Sequence, residues 1–351
     1  MLVRRHSREY HFVGDGASGA TFRWGRTTAE NPALAPWPEL ADISVSNRCS
    51  KGCGFCYRDS KPDGRLMSVP DYAKVLDELT HPQWGSVFQV ALGGGEPTEH
   101  PGFKEMLEET RRRGIFPNFT TNGDSASPET ARKLGRLAGA VAVSVAGFGS
   151  GNLRGARLFS DAGVRTNLHC VLSPESLGAA TAFLEGRYDS ELIGINAVVF
   201  LALKRTGRAS NSAGLERGPG LGAFFDRVSS PGTKVRFGFD ACLVPQVLSR
   251  TWVNPAWLDA CECAFFSVYV DEALTVKPCS FSRDPASSFD LKKTGFRWIW
   301  EQGFSGFRER AGNVCVGRSC PHKKECRGSC PLYPELMLCE PEISAAGGRR
   351  P

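Results

Sequence analysis

Three cysteines lie within eight residues of one another: Cys49, Cys53 and Cys56, in the segment NRCSKGCGFCYRDS. Their spacing brings all three thiols to one side of a tight loop. Structural zinc uses four ligands in a closed tetrahedron, and this group has no fourth nearby, since His100 is distant in sequence. Closely spaced thiolates commonly hold iron–sulfur clusters, and three of them leave one iron with an open position. The spacing favours an iron–sulfur cluster, with zinc or coincidence as alternatives.

Composition argues against a disulfide framework. The N-terminus MLVRRHSREYHFVGDG lacks the apolar stretch of a secretory signal, which predicts a cytoplasmic protein in a reducing compartment. The 13 cysteines are also an odd number, so at least one is unpaired. No run of eighteen apolar residues occurs, so we expect no membrane span. The net charge of +6 is dispersed, without a basic stripe interleaved with aromatics, which disfavours a nucleic-acid partner.

Short β-branched runs alternate with amphipathic segments through the middle of the chain. The runs predicted as strands are 42–47, 86–92, 115–122, 140–145, 164–172 and 193–201. Among the helical segments, Ser68 is a start signal for one, Ser127 with Pro128 for another, and Ser173 with Pro174 for a third. Alternating strands and helices imply a parallel sheet, either open and doubly wound or a partial barrel. In both, functional groups gather at the carboxyl ends of strands, and Cys49 to Cys56 directly follow the first strand.

The two ends of the chain differ in residue pattern from the middle. Residues 1–40 contain GDGASG, which matches a dinucleotide-binding fingerprint, but ATFRWG after it predicts a second strand, so we interpret the segment as a β-hairpin. Eight of the 13 cysteines fall between Cys261 and Cys339, amid short loops. Such a region lacks the apolar residues for a large core and usually needs a metal or cluster. The tail at 343–351 is predicted to be disordered.

The cysteine loop, with aromatic Phe55 before its third cysteine, resembles the cluster loop of the radical S-adenosylmethionine (SAM) superfamily. GGEP at 94–97 resembles the family motif for the methionine amino group, and TTNG at 120–123 and Ser144 match further strand-end positions. The resemblance implies that Cys49, Cys53 and Cys56 hold a [4Fe–4S] cluster whose open iron binds SAM. The residues it implies for SAM binding are Phe55, Tyr57, Gly94, Gly95, Glu96, Pro97, Thr121, Asn122 and Ser144.

The C-terminal cysteines resemble the SPASM extension of a subset of these enzymes. The resemblance implies one or two auxiliary [4Fe–4S] clusters. The first would use Cys263, Cys279 and Cys330 with Cys261, and the second Cys315, Cys320, Cys326 and Cys339. Two departures concern the backbone there: Leu274 stands where the family has glycine, and Cys315 precedes Cys320 by five positions where the family usually has three. Structural zinc is the alternative for these thiols.

The combined prediction is an α/β protein. A partial (β/α)6 TIM-like barrel at 41–235 follows the N-terminal extension, and a small cysteine-rich α+β auxiliary-cluster domain occupies 236–342. The resemblance implies that SAM is cleaved to a 5′-deoxyadenosyl radical, which abstracts a hydrogen atom from the substrate. It favours a ribosomally made peptide as the substrate that is matured. Flavodoxin or ferredoxin is the electron donor that it implies. Alternatives are a dehydrogenase or epimerase acting on a small metabolite or sugar, and a non-catalytic iron–sulfur or zinc-binding module. No catalytic acid or base is predicted.

Five further residues stay open. Cys170 is predicted to be a small buried hydrophobe, with cavity exposure of Cys170 or His169 as the alternative. Cys242 is a spare thiol near the second domain. Arg205 and Arg208, in LKRTGRA after the sixth strand, either contact an acidic group or are solvent-exposed.

Overall fold

The computed structural model describes residues 2–254, 257–312, 314–315, 320–322 and 326–339. Within these residues no helix is both long and apolar enough to cross a membrane. Their main features are a small N-terminal sheet and a large central sheet covered by helices.

The N-terminal sheet is antiparallel and has its strands in chain order: β1 (Leu2–His6), β2 (His11–Asp15) and β3 (Thr21–Trp24). GDGASG includes the turn between β2 and β3. The Asp15 carboxylate accepts hydrogen bonds from the backbone N–H groups of Ala17 at 3.0 Å and Ser18 at 3.1 Å. These amides are the donors that a phosphate would need, and a strand rather than a helix follows. The segment is therefore a hairpin turn.

The central sheet has ten strands within the described residues, in the order β12-β11-β10-β9-β8-β7-β4-β13-β14-β15. Its strands, and the separate hairpin of β5 and β6, are β4 (Leu40–Ser46), β5 (Thr80–His81), β6 (Gly85–Ser86), β7 (Gln89–Gly94), β8 (Phe116–Thr121), β9 (Ala140–Val145), β10 (Thr166–Leu172), β11 (Ala197–Ala202), β12 (Phe237–Phe239), β13 (Ser267–Val270), β14 (Thr275–Lys277) and β15 (Phe289–Asp290).

The strand order decides between the two predicted architectures. From β4 through β7 to β12 all neighbours are parallel and follow one another in chain order. A doubly wound sheet would reverse its direction beside its first strand, and these strands do not. The predicted α/β fold with six parallel strands of a partial barrel is confirmed, and β12 adds a seventh.

Helices α1 to α6 connect the parallel strands β4 and β7 to β12. They are α1 (Val69–Glu78), α2 (Phe103–Arg112), α3 (Pro128–Gly135), α4 (Arg154–Asp161), α5 (Leu177–Leu184) and α6 (Pro219–Ser229). After β12 come α7 (Val244–Arg250), α8 (Phe296–Trp298) and α9 (Ser305–Gly312). The Ser68 and Ser127 side chains cap α1 and α3, as predicted, by accepting from the N–H groups of Asp71 and Thr130.

The predicted start of α5 is wrong. The helix begins at Leu177 and not at Pro174. Ser176 explains the delay, because its hydroxyl donates to the carbonyl of Val171 at 2.7 Å and accepts from the N–H of Ser173 at 2.9 Å. These bonds hold residues 173–176 in a turn that competes with the helix.

Alternation along β10 shows how the sheet separates core from cavity. Leu168, Cys170 and Leu172 are buried in the hydrophobic core. His169 and Val171, on the other face, line an internal cavity. The inner face of the sheet is therefore free to carry polar groups.

Strands from the C-terminal part of the chain extend both edges of the sheet. β12 pairs with β11, and β13 pairs in parallel with β4, the strand that precedes the cysteine loop. Arg58 strengthens the second junction by contacting the Tyr269 hydroxyl and the Glu272 carboxylate. The cysteine-rich region is therefore attached directly beside the cysteine loop.

Candidate active site

A cavity of about 910 Å³ lies at the carboxyl ends of the parallel strands. Cys49, Cys53 and Cys56 all line it, and each is partly buried. Burial raises the pKa of the Cys49 and Cys53 thiols. The turn is closed by a hydrogen bond from the N–H of Cys56 to the carbonyl of Cys53 at 3.2 Å. The structure thus brings the three predicted thiols to one surface.

The glycine run after β7 lies directly against the cysteine loop. A Cβ atom on Gly94, which has φ 111°, would lie 2.1 Å from the Ser44 hydroxyl oxygen, and one on Gly95 would lie 2.1 Å from the Arg48 carbonyl oxygen. The Glu96 N–H donates to that same Arg48 carbonyl at 2.7 Å. Glycine is required at both positions because two backbones meet there.

Glu96 joins this loop to the end of β8. Its side chain is 1% exposed and accepts from the Thr121 hydroxyl at 2.7 Å and the Asn122 N–H at 2.7 Å. It also accepts from the N–H of Thr98 at 3.0 Å and from its hydroxyl at 2.6 Å. Burial raises the pKa of Glu96, and these bonds oppose the rise. Its carboxylate is thus occupied by protein donors, and Pro97 beside it is buried.

The remaining residues predicted to bind SAM lie around the same cavity. The Asn122 amide nitrogen is 3.8 Å from the Cys49 sulfur, and Ser144 lines the wall on β9. Phe55 is 40% exposed at the rim. Tyr57 packs on Phe281 of the C-terminal region with ring centroids 4.2 Å apart, and burial raises its pKa to about 12.

The cavity wall also contains His169, for which the sequence allows either orientation, and Asp42, which the sequence analysis does not predict. His169 faces the cavity, and burial lowers its pKa to about 4, which keeps the imidazole neutral at pH 7. Asp42 on β4 also lines the cavity, and burial raises its pKa to about 7 although Arg58 opposes the rise. Period-two alternation in the strands carries this signal, because it places both residues opposite core positions.

An ion pair occupies the wall near the C-terminal region. The Lys204 ammonium lies 2.5 Å from Asp240 Oδ2 and 4.7 Å from the centre of the Phe281 ring. Lys204 is 6% exposed, and Asp240 Oδ1 is buried and has no hydrogen-bond partner among the described residues. Burial lowers the pKa of Lys204, but Asp240 and Cys242 raise it more, so the side chain stays charged. Sequence reasoning missed this pair because its members follow different strands.

Five thiols from the C-terminal region meet behind Lys204. The Cys263 thiol lies close to the thiols of Cys261 and Cys279, and the Cys242 thiol lies close to that of Cys330. Cys330 also lies within electrostatic range of Cys261. The structure thus brings the four cysteines predicted for the first auxiliary cluster together and adds Cys242.

Leu274, at the family's glycine position, has φ 66° in the turn between β13 and β14. This left-handed conformation is costly for a residue with a Cβ atom. The Leu274 side chain is 3% exposed and belongs to the hydrophobic core, so its burial offsets that cost. The departure from the family pattern therefore keeps the backbone that glycine would have.

The second auxiliary set is partly described. Cys326 lies within electrostatic range of Cys315, Cys320 and Cys339. Residues 316–319 and 323–325 between them lie outside the described part of the chain. Across the described residues, no three His, Cys, Asp or Glu side chains converge tightly enough to hold a single metal ion. A cluster makes a different demand, because its thiolates bind different irons and need not meet at one point.

The fold and this cavity define a class: an enzyme on a partial α/β barrel with its site at the carboxyl ends of the strands. The family model of the Radical SAM superfamily matches residues 43–172, and the chain is a radical SAM enzyme with a cysteine-rich C-terminal region.

Among related sequences, the mycofactocin maturase MftC of Mycobacterium ulcerans (strain Agy99) is 28% identical over 308 residues, which cover 80% of each protein. Among solved structures, Streptococcus suis SuiB bound to S-adenosylmethionine superposes with a TM-score of 0.71 and 13% identity, over 97% of this chain and 98% of SuiB. The enzyme anSMEcpe with bound AdoMet superposes with a TM-score of 0.61 and 17% identity, over 86% and 93% of the two chains. These two likenesses concern the fold.

The family implies a [4Fe–4S] cluster and SAM, and the cavity residues fit both groups. Three partly buried thiols face the cavity, as the cluster requires. Space is open beside the cysteine loop and the strand end, because a Cβ atom built on Gly54 or Gly93 would meet no atom of the described part of the chain within 4 Å. The exposed backbone there provides acceptors for an ammonium group.

Proposed function

We propose that Cys49, Cys53 and Cys56 hold a [4Fe–4S] cluster and that the same cavity binds SAM. The observation that supports this most is the meeting of three thiols, the glycine run and the end of β8 on one cavity wall. When bound, these groups supply a 5′-deoxyadenosyl radical that abstracts a hydrogen atom from an unactivated C–H bond.

The protein's own groups would bind and orient SAM. The carbonyls of Gly94 and Gly95 would accept the methionine ammonium group. Thr121, Asn122 and Ser144 would provide polar contacts at the strand ends, while Glu96 and Pro97 hold the loop in shape. Phe55 and Tyr57 would pack against the adenine, with Tyr57 already fixed on its other side by a ring of the C-terminal region.

The C-terminal thiols would hold one or two auxiliary [4Fe–4S] clusters. The sets are Cys261, Cys263, Cys279 and Cys330 for the first, and Cys315, Cys320, Cys326 and Cys339 for the second. The first set includes Cys279, which lies near Lys204 at the cavity wall, and this position suits a group that accepts the electron released when a substrate is oxidised. Flavodoxin or ferredoxin would supply the first electron.

The substrate we propose is a ribosomally made peptide. MftC is a maturase, and SuiB has been solved bound to its precursor peptide SuiA. The cavity here offers polar groups for a peptide side chain: neutral His169 and the carboxyl of Asp42.

The cofactor assignment is tested by anaerobic reconstitution. The wild-type protein should be brown and hold about eight to twelve irons per chain. Replacing Cys49, Cys53 and Cys56 by Ala should abolish reductive release of 5′-deoxyadenosine from SAM, whereas Cys170→Ala, at a buried core position, should retain it. Stoichiometric zinc with fewer than about three irons per chain would contradict the proposal.

The substrate assignment needs a separate experiment. The neighbouring genes are first searched for a short precursor peptide. The reconstituted enzyme is then incubated with reductant, SAM and that peptide, and the peptide is analysed by mass spectrometry. A SAM-dependent mass change localised to one side chain supports the proposal. An unchanged peptide, together with turnover of a sugar or small metabolite, would show that the enzyme is a small-molecule dehydrogenase or epimerase.

A further inference from the structure

The loop after β11 crosses to the cysteine loop after β4. The N–H of Arg208 donates to the carbonyl of Cys56 at 3.0 Å. Gly207 precedes it with φ 61°, and a Cβ atom there would lie 2.5 Å from the carbonyl oxygens of both Cys56 and Tyr57. The two backbones are therefore in direct contact, which only glycine permits.

The Arg208 side chain continues this contact along the cysteine loop. Its Nε–H donates to the carbonyl of Cys53 at 2.7 Å, and its Nη1 donates to the carbonyl of Ser60 at 2.7 Å. Nη1 also lies 3.3 Å from the Asp59 carboxylate. One residue thus binds carbonyls at both ends of the segment that contains Cys56.

These carbonyls lie outside the helices and strands of the described residues. Two of them also accept a turn hydrogen bond, Cys53 from the N–H of Cys56 at 3.2 Å and Cys56 from the N–H of Asp59 at 3.3 Å. The shape of the loop therefore depends on these turn bonds and on the donors that Arg208 adds. Arg208 gives three donors in a fixed arrangement, two from its planar guanidinium and one from its backbone. Lysine could keep the charge but could not reproduce the fork.

We infer that Arg208 is a positioning residue, which fixes the backbone of the cysteine loop so that its three thiols are presented together. The inference rests on the proposed cluster at Cys49, Cys53 and Cys56. A site of this kind functions only when its ligands are held within about 0.5 Å of the productive geometry, and Arg208 acts on the backbone that carries two of the three.

The test compares Arg208→Lys with Arg205→Lys, a matched control on an exposed side chain of the same loop. Three measurements are made on anaerobically reconstituted protein: the circular dichroism melting curve, the rate of iron loss to a chelator, and the change that SAM causes in the electron paramagnetic resonance spectrum of the reduced protein. The change caused by SAM reports on the iron with the open position.

We expect Arg208→Lys to fold normally, to release the iron of the cysteine loop about tenfold faster, and to show a reduced SAM-dependent spectral change. The control should match the wild type. Gly207→Ala provides a second variant, because its Cβ atom would push the loop away while the guanidinium stays in place, and it should behave like Arg208→Lys.

Wild-type iron retention and a full SAM response in both Arg208→Lys and Gly207→Ala would overturn the inference while leaving the cluster assignment intact. A wild-type protein without any SAM-dependent spectral change would instead overturn the proposed function, and the role of Arg208 with it. A uniform fall in melting temperature with a normal spectral response would also overturn the inference, because it would show a structural role only.

Discussion

Glu96 accepts a hydrogen bond from the backbone N–H of Asn122 at 2.7 Å, which joins the loops after β7 and β8. The same Asn122 places its amide nitrogen 3.8 Å from the Cys49 sulfur. The buried carboxylate is therefore the link between two strand ends and the cysteine loop. The family motif at residues 94–97 thus has a positioning part, Glu96, beside the glycine backbone that faces the cavity.

Glu96→Gln should weaken both the fold and the site. A glutamine amide would direct N–H groups at atoms that are themselves donors, and the cost of such a mismatch is about 1–3 kcal/mol. We expect the free energy of unfolding in urea to fall by about that amount, together with loss of SAM binding. Glu105→Gln, at an exposed position, is the matched control. A variant as stable as the wild type would show that the four hydrogen bonds of Glu96 are dispensable.

Lys204→Met should destabilise the protein because it leaves the partly buried Asp240 without its partner. Removing one member of a buried ion pair typically costs about 3 kcal/mol or more. The double variant Lys204→Met/Asp240→Asn should recover part of this loss, since no uncompensated charge remains. Urea unfolding of the wild type, both single variants and the double variant measures the coupling. Additive effects would mean that the pair contributes no interaction energy.

The parallel strands and the three thiols could be predicted from sequence because their signals are local. Runs of β-branched residues predict the strands, and the spacing of cysteines within a single loop predicts the three ligands. The pairing of β13 with β4 and the Lys204–Asp240 contact join segments that are far apart in sequence. A local sequence pattern therefore cannot predict either contact.

Some signals were present in the sequence but ambiguous. Cys170 and His169 are neighbours on β10. Alternation puts Cys170 on the same face as Leu168 and Leu172, but apolar Val171 on the His169 face weakens the pattern. The structure places Cys170 in the core, as predicted, and His169 at the cavity. The sequence is consistent with either an acidic contact or solvent exposure for Arg208, and Arg208 Nη1 does lie near the Asp59 carboxylate. Its carbonyl partners could not be predicted, because every residue type has a backbone carbonyl and the sequence does not distinguish the ones that accept.

The five thiols behind Lys204 exceed the four that one cubane cluster needs. Cys263 contacts both Cys261 and Cys279, so Cys263→Ser should lose about four irons per chain. Cys242→Ser leaves the set proposed for the first auxiliary cluster complete and should keep its iron. Both are measured in a protein whose Cys49, Cys53 and Cys56 are replaced by Ala, which removes iron at that loop. Loss of iron from Cys242→Ser, with retention in Cys261→Ser, would make Cys242 the fourth ligand.

His169 should make the protein less stable in mild acid. Burial lowers the folded-state pKa of His169 from its ordinary value of 6.5 to about 4. Between these two values the unfolded chain binds a proton that the folded chain does not, so stability falls as the pH falls from 6.5 towards 4. The contribution reaches up to about 3 kcal/mol at the acid end of this range.

His169→Gln cannot take up that proton in either state, so its stability relative to the wild type should rise as the pH falls. Urea unfolding at several pH values between 4 and 8 checks this, with His6→Gln as the exposed control. Parallel pH profiles for His169→Gln and the wild type would mean that His169 has the same pKa in the folded and the unfolded protein. The assignment of a neutral imidazole to the cavity wall would then be wrong.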